Sequence, residues 1–390
     1  MSVAIDREQA LLDTVRVIAR DVAAVNADDV DRSARFPVET IDALREQRVL
    51  SAFVPTEYGG GGVCLETLAK CCLDLGRYCG ASAMVFAMHQ IQVVTIVRHL
   101  RRDPWFEQYL SKLASEQRLI ASVTSEIGTG GDMGRSIAAL TPADGVLTFE
   151  KQAPTVSYGA YADDLFTTLR RAPDAEPGDQ VVVLTDKEQT TLELTGTWDV
   201  LGMRGTCSPG YVVRGTLPAE QMLSTPFARV AAESMVPVSH ILWSHLWLGI
   251  SEDAFDRARA FVRAAAKRKP GEQLPVALRL SRLMSELSML RAEVDSGLRD
   301  FLAASSEPER ERLSTMAAAL RFNNLKLAAS EHSADICRGA LDVCGIMGFK
   351  NDTPFSVGRH LRDTMSAVLM IANERIHQTN AGLLLIAKEV

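Results

Sequence analysis

The spacing of apolar residues changes twice along the chain. Over 7–24 they recur at helical intervals, through Leu11, Leu12, Val15, Val17, Ile18 and Val22. The same spacing returns over 38–47, entered through Pro37, a residue suited to the first turn of a helix. Phe53-Val54-Pro55 then runs into Tyr58-Gly59-Gly60-Gly61-Gly62, a sharp break. Segments 65–78 and 81–100 read as two more helices, the second apolar almost all round and so expected inside the protein. A further helix is predicted over 104–114. These elements make 1–117 an N-terminal helical domain.

Near Leu119 the period shortens. Segments 145–150, 165–169, 180–184 and 191–194 are short, rich in β-branched residues and bounded by Pro, Gly, Asp or Lys. With 210–215 and 221–223 they predict a middle β-domain over 118–228, an antiparallel sandwich or barrel. Beyond Pro226 the helical spacing resumes, over about 238–267, 276–303, 308–344 and 358–388. Four long helices joined by short loops predict an antiparallel four-helix bundle over 229–390. The fold class is therefore mostly α with a central β-domain.

Composition narrows the function classes. At 47% hydrophobic and 23% charged the 390 residues are ordinary globular material, enough for two or three domains. A net charge of −7 argues against nucleic-acid binding, which needs a basic face. The N-terminus MSVAIDREQA has no signal-peptide character, and the longest apolar run, 241–250, is interrupted by Ser244 and His245. No membrane association is expected. Seven cysteines without paired spacing fit reduced thiols in a cytoplasmic protein, and no Cys/His cluster suggests a metal.

The chemistry-bearing stretch is 121–132, ASVTSEIGTGGD. It sets Glu126, the hydroxyls of Ser122, Thr124 and Ser125, and glycines 128, 130 and 131 between helical and β-rich regions. Glycines at that density admit positive φ and close approach by a ligand, and their free N–H groups can hold an anion or a flat polar ring.

Four motifs in order, spread over essentially the whole chain, resemble the acyl-CoA dehydrogenase family. They are Phe53-Val54-Pro55-Thr56-Glu57-Tyr58-Gly59-Gly60, Ser125 to Asp132, Trp198 to Ser208, and Cys344-Gly345-Ile346-Met347-Gly348-Phe349 with Arg362-Asp363. The resemblance implies FAD between the β-domain and the bundle. It also implies a role in fatty acid metabolism, with an acyl thioester substrate on CoA or an acyl carrier protein. A homotetramer or homodimer and an electron-transfer flavoprotein partner follow by the same resemblance. It assigns flavin contacts to Thr124, Ser125, Gly130, Gly131, Ser157 and Arg204. Ser157 reads equally as a strand-end turn and Arg204 as a surface ion pair, while Trp198 reads as β-domain core.

The departures from the family pattern concern the base. Dehydrogenation removes an α-proton to a carboxylate, and the two positions where the family keeps it correspond to Ile371 and Ser239. Neither is acidic. The nearest alternatives are Glu374, just past Ile371, and His240, beside Ser239; a neutral imidazole is a competent base near pH 7. The cofactor-bridging segment is Lys267-Arg268-Lys269-Pro270-Gly271, and Asp342 and Ile346 replace a Gln and a Gly. Trp243, Trp247 and Phe255 would shorten an acyl pocket or belong to the bundle core. The resemblance points to α,β-dehydrogenation of an acyl thioester with a relocated base; the alternatives are a flavin-dependent monooxygenase and a non-catalytic subunit of a hetero-oligomer.

Overall fold

The computed structural model describes residues 2–387 apart from 269, 273, 305, 307 and 308, and excludes the side chains of 2–5. Lys269 in the basic segment and the predicted helix ends at Pro308 and Lys388 therefore lie outside the described residues. The chain opens with α1 (Ser2–Ile18), which passes through a π-turn at Ala19–Ala23 into α2 (Ala24–Arg32) without a break. Then come α3 (Val38–Glu46), α4 (Leu65–Gly76), α5 (Gly80–His99) and α6 (Pro104–Glu116). The last starts where Asp103 accepts the N–H groups of Trp105 and Phe106, with Pro104 supplying a preset φ. Helix α5 is long and apolar enough to cross a membrane, contrary to the expectation that no segment would be. In the fold, 89% of its apolar window is buried, because α4, the long helix Val236–Arg268 and the strand Ile120–Val123 pack around it.

Among the described residues, seven strands form two sheets. One has the order β1 (Ile120–Val123), β4 (Asp164–Arg170), β5 (Gln180–Asp186). The other runs β2 (Thr141–Ala143), β3 (Val146–Ala153), β7 (Tyr211–Leu217), β6 (Thr190–Leu194). The second sheet is antiparallel throughout, but β1 pairs parallel to β4, with Ile120 opposite Asp164. The middle region is thus not wholly antiparallel as expected. The connection from β1 to β4 contains the whole 124–132 loop and the β2–β3 hairpin, long enough to return the chain to the same end of the sheet.

The C-terminal region contains α7 (Phe227–Val230), α8 (Val236–Arg268), α9 (Pro275–Ala303), α10 (Met316–Cys344) and α11 (Ile346–Phe349). Helices α4 and α8 meet backbone to backbone through two glycines. A Cβ at Gly76 would stand 2.4 Å from the Leu246 carbonyl oxygen, and one at Gly249 would stand 2.2 Å from that of Leu73.

The fourth bundle helix, expected unbroken over 358–388, is two helices. α12 (Gly358–Met365) stops, the chain turns through 366–372, and α13 (Asn373–Ile386) begins. Ile371 and Ala372 take φ of 57° and 43°, a region a β-branched residue avoids. A partner on α10 offsets that strain. The fully buried amine of Lys326 donates to the Ala367 carbonyl at 3.0 Å and to the Asn373 side chain, while Asn373 also donates to Ser330 and Glu331. Burial pulls the Lys326 amine down to about 8, with Glu331 opposing.

Candidate functional site

A cavity of about 760 Å³ opens between the middle sheets, α5, α8 and the broken fourth helix. Its size lies within the ~300–1,000 Å³ of ordinary small-molecule sites. Seven of the chain's 13 methionines face it, so the wall is apolar, polarisable and adaptable to a flat ring. One edge is polar. Ser122, Thr124 and Ser125 come from β1 and its loop, Thr155 and Ser157 follow β3, and Thr206 and Ser208 precede β7. Ser125 Oγ is committed to the Thr155 carbonyl at 2.7 Å, and Ser208 donates to Ser157 at 2.9 Å. The hydroxyls of Ser122 and Thr124 have no partner among the described residues. The same holds for the indole Nε1–H groups of Trp198 and Trp243, both on the cavity wall. Both can donate to a polar group in the cavity.

The loop carrying this edge is held by its carboxylate. Glu126, 6% exposed, accepts from Ser136 Oγ at 2.7 Å, Ile137 N at 3.1 Å and Ala138 N at 2.6 Å. The fully buried Lys151 amine lies 3.6 Å from it and donates to Thr168 twice. Burial draws that amine down to about 8, and the Glu126 charge opposes the shift. Glu126 therefore works as an anchor turned away from the cavity.

The other motif residues join the three regions. Arg362 grips both Asp31 carboxylate oxygens and the Leu201 carbonyl, and Asp363 Oδ1 accepts the Met203 N–H at 2.7 Å. Burial raises the Asp363 carboxyl to about 6, against the pull of Arg359. Gly202 lies so close to this strap that a Cβ there would stand 2.0 Å from the Arg362 carbonyl oxygen.

The sequence-predicted residues divide accordingly. Thr124, Ser125, Gly131 and Ser157 line the cavity; Gly130, with φ of 63°, stands beside it in open space. Arg204 does not line it: it opens a short turn between left-handed Met203 and Cys207, its Nε buried without a partner. His240 is buried in α8, its Nδ1 3.0 Å from the Phe322 carbonyl, and is not part of the wall. Glu374 is exposed on α13, also outside the wall. Ser239 and Ile371 both line the cavity, and Ser239 already donates to the Val236 carbonyl at 2.8 Å. Trp198, expected in the β-domain core, is half-buried on the wall, because the segment 198–203 is drawn towards α12 by the Arg362–Asp363 strap. Trp243 lines the cavity, whereas Trp247 and Phe255 pack in the bundle core. Arg375, absent from the expected site, lies against Gly131; no sequence motif marks it, since its position depends on the break before α13. Lys267, Arg268, Asp342 and Ile346 are exposed at helix ends, away from the wall.

Among the described residues the only ionisable side chains on the wall are Arg362 and Arg375. The nearby imidazoles are neutral. Burial depresses His89 to about 4 and His240 to about 3, and burial with surrounding arginines depresses His99 to about 3. His89 is held as one tautomer by accepting Ile120 N–H at Nδ1 while Nε2 faces the Leu50 carbonyl. A histidine lowered in the folded state takes up protons first in the unfolded chain. Its contribution is therefore intact above about 6.5 and lost as pH falls from there towards about 4. We expect each such site to cost up to about 3 kcal/mol over that window. Urea unfolding at pH 7 and pH 5 checks this; equal stabilities would refute it, and His89→Gln should flatten the slope.

A helical domain, a two-sheet middle region and a helical bundle around a cavity with a glycine-loop polar edge define the acyl-CoA dehydrogenase type of enzyme fold. The chain belongs to the acyl-CoA dehydrogenase family: residues 6–117 match its N-terminal domain and residues 230–371 its C-terminal domain. It is 26% identical to the probable FMNH2-dependent monooxygenase SfnC of Pseudomonas putida, over 93% of this chain and 92% of that one. It is 24% identical to the cyclohexane-1-carbonyl-CoA dehydrogenase of Geobacter metallireducens, over 97% and 96% of the two chains. Its fold matches KijD3, solved with FMN and a dTDP-linked amino sugar, at a TM-score of 0.85 and 22% identity, over 98% of this chain and 95% of that one.

Proposed function

We propose that the chain binds a flavin in the 760 Å³ cavity and serves as a flavin-dependent monooxygenase. The observation that carries this reading is the filling of the family's two base positions. Ile371 brings hydrocarbon to the wall, and the Ser239 hydroxyl is spent on its own helix. Proton abstraction from a thioester needs a basic group within hydrogen-bond reach of the α-carbon's proton. His240 and Glu374, the nearest alternatives in sequence, both lie outside the wall. Oxygen transfer makes no such demand on the wall: a bound reduced flavin would supply the two electrons with which one oxygen atom of O2 enters the substrate and the other leaves as water.

The residues fit a flavin. Ser122, Thr124 and Ser157 would meet the polar edge of its ring, with the Trp198 indole N–H as a further donor, and Met84, Met88 and Met133 would pack on its faces. Gly130, with open space where a side chain would stand, lets a ligand approach the loop backbone closely. The protein's task is then to exclude water from the reacting face, which the methionine wall does. FAD, implied by the family resemblance, and FMN, named for relatives, present the same ring. The dehydrogenase reading draws on relatives such as the Geobacter enzyme; it calls for a base brought by the substrate or a partner. Cytoplasmic placement and a homo-oligomer belong to either reading.

The test is reconstitution with FMN or FAD. The expected result is a yellow protein that acyl thioesters do not bleach in the absence of oxygen. With NADH and a separate flavin reductase it should consume oxygen in a substrate-dependent way. Anaerobic bleaching by an acyl thioester would instead establish dehydrogenation, and a chain that takes up neither flavin would remove both enzyme readings.

A further inference from the structure

We propose that Arg375 anchors an anionic group of the substrate, a carboxylate or a phosphate ester, and thereby selects what enters the cavity. The inference rests on the proposed function only for where the reacting end lies. Arg375 stands in the first turn of α13, just beyond the break at 366–372. That break aims it back at the cavity rather than along the bundle surface. Its guanidinium lies over the glycine loop: a Cβ at Gly131 would stand 2.6 Å from Nη1 and 3.1 Å from Cζ and Nη2. Gly131, at φ 78°, is thus the residue that lets the cation rest there.

The charge has no counter-ion among the described residues. Neither Glu374 beside it nor Glu331, which faces Asn373 and His377, pairs with Arg375, and its guanidinium makes no hydrogen bond among the described residues. The other wall cation is different. Arg362 is neutralised by Asp31 and further held by the Leu201 carbonyl. The cavity therefore presents one uncompensated positive charge, half-buried, beside a largely apolar wall. A half-buried guanidinium offers five N–H donors, and with no protein acceptor beside them an oxyanion can take two in bidentate fashion. Beside a low-dielectric wall that attraction exceeds its value in water.

The experiment compares wild type, Arg375→Met and Arg375→Lys, each as flavin-free and FMN-loaded protein. Calorimetric titration with benzoate, phenyl phosphate and the neutral benzamide reads the charge directly. Wild type should bind an anion about tenfold to a hundredfold more tightly than benzamide. Arg375→Met should reduce the preference to parity, and Arg375→Lys should keep part of it. Parity in wild type, or a preference that survives in Arg375→Met, overturns the proposal. Riboflavin and FMN affinities, from flavin fluorescence quenching, separate the two sources of an anion. Their ratio should be unchanged in Arg375→Met; a collapse of FMN affinity alone assigns the guanidinium to the cofactor's phosphate and also overturns it. A wild type that takes up no flavin fails the functional reading alone, since the benzoate–benzamide comparison on the flavin-free chain still decides this one.

Discussion

Glu126→Ala should cost the protein about 3–5 kcal/mol, the penalty for breaking a buried ion pair from one side. Three acceptor contacts disappear with the carboxylate: those to Ser136 Oγ, Ile137 N and Ala138 N. The Lys151 amine, fully buried, loses its only acidic neighbour within 4 Å among the described residues and keeps just the two oxygens of Thr168. The effect should reach beyond stability. The anchored residue sits between Ser125 and the glycines at 128, 130 and 131, so its loss frees the segment that supplies the cavity's polar edge. Thermal unfolding and flavin titration on one sample check both parts. Glu126→Gln, which can still accept the two backbone N–H groups, should lose less, about 1–3 kcal/mol. A Glu126→Ala protein as stable as wild type would show that the loop is held by other contacts.

Gly202→Ala should be the other severe change. Its Cβ would stand 2.0 Å from the Arg362 carbonyl oxygen, 2.3 Å from the Arg362 carbonyl carbon and 2.8 Å from the Asp363 nitrogen, all backbone atoms. No rotamer relieves such a clash, so either α12 or the 198–203 segment must move. Overpacking of this kind costs about 1–3 kcal/mol and sometimes more. Movement here also pulls on the bonds from Arg362 to Asp31 and Leu201 and from Met203 to Asp363, which tie the N-terminal helices, the middle region and the bundle together. We therefore expect a large fall in Tm with a parallel loss of flavin affinity. Gly196→Ala, at a glycine with nothing within 4 Å and no positive φ, is the control and should be near neutral. If both variants melt alike, the close approach at Gly202 is not structurally important.

Much of the fold is legible in the chain because it rests on local periodicity. Helical spacing over 81–100 and 238–267 corresponds to α5 and α8, and the short β-branched segments correspond to β3 to β7. The motif spacing that singled out Ser239 and Ile371 selects two residues of the cavity wall although 131 residues separate them. Where long-range contacts override local preference, the reading fails. The fourth helix looks continuous because 358–388 keeps its apolar spacing, yet Lys326, on a different helix, holds the Ala367 carbonyl and breaks it. Trp198 looks like sheet core because a large aromatic in a β-rich segment usually is; the strap to α12 turns it to the cavity. The parallel pairing of β1 with β4 depends on a connection of some 40 residues that no local pattern encodes.

By itself, then, the sequence determined the order of helical, β and helical regions, the glycine loop and the absence of acid at the two base positions. Each of these depends on residue identity and short-range spacing. The tertiary structure alone decided that Glu126 faces inward as an anchor, that His240 and Glu374 stand away from the wall, and that Arg375 reaches it. Those outcomes depend on where a side chain points once distant segments meet. A buried amine 47 residues from Asn373 could displace the last helix, and with it the charge at the cavity's edge, without leaving any local signal.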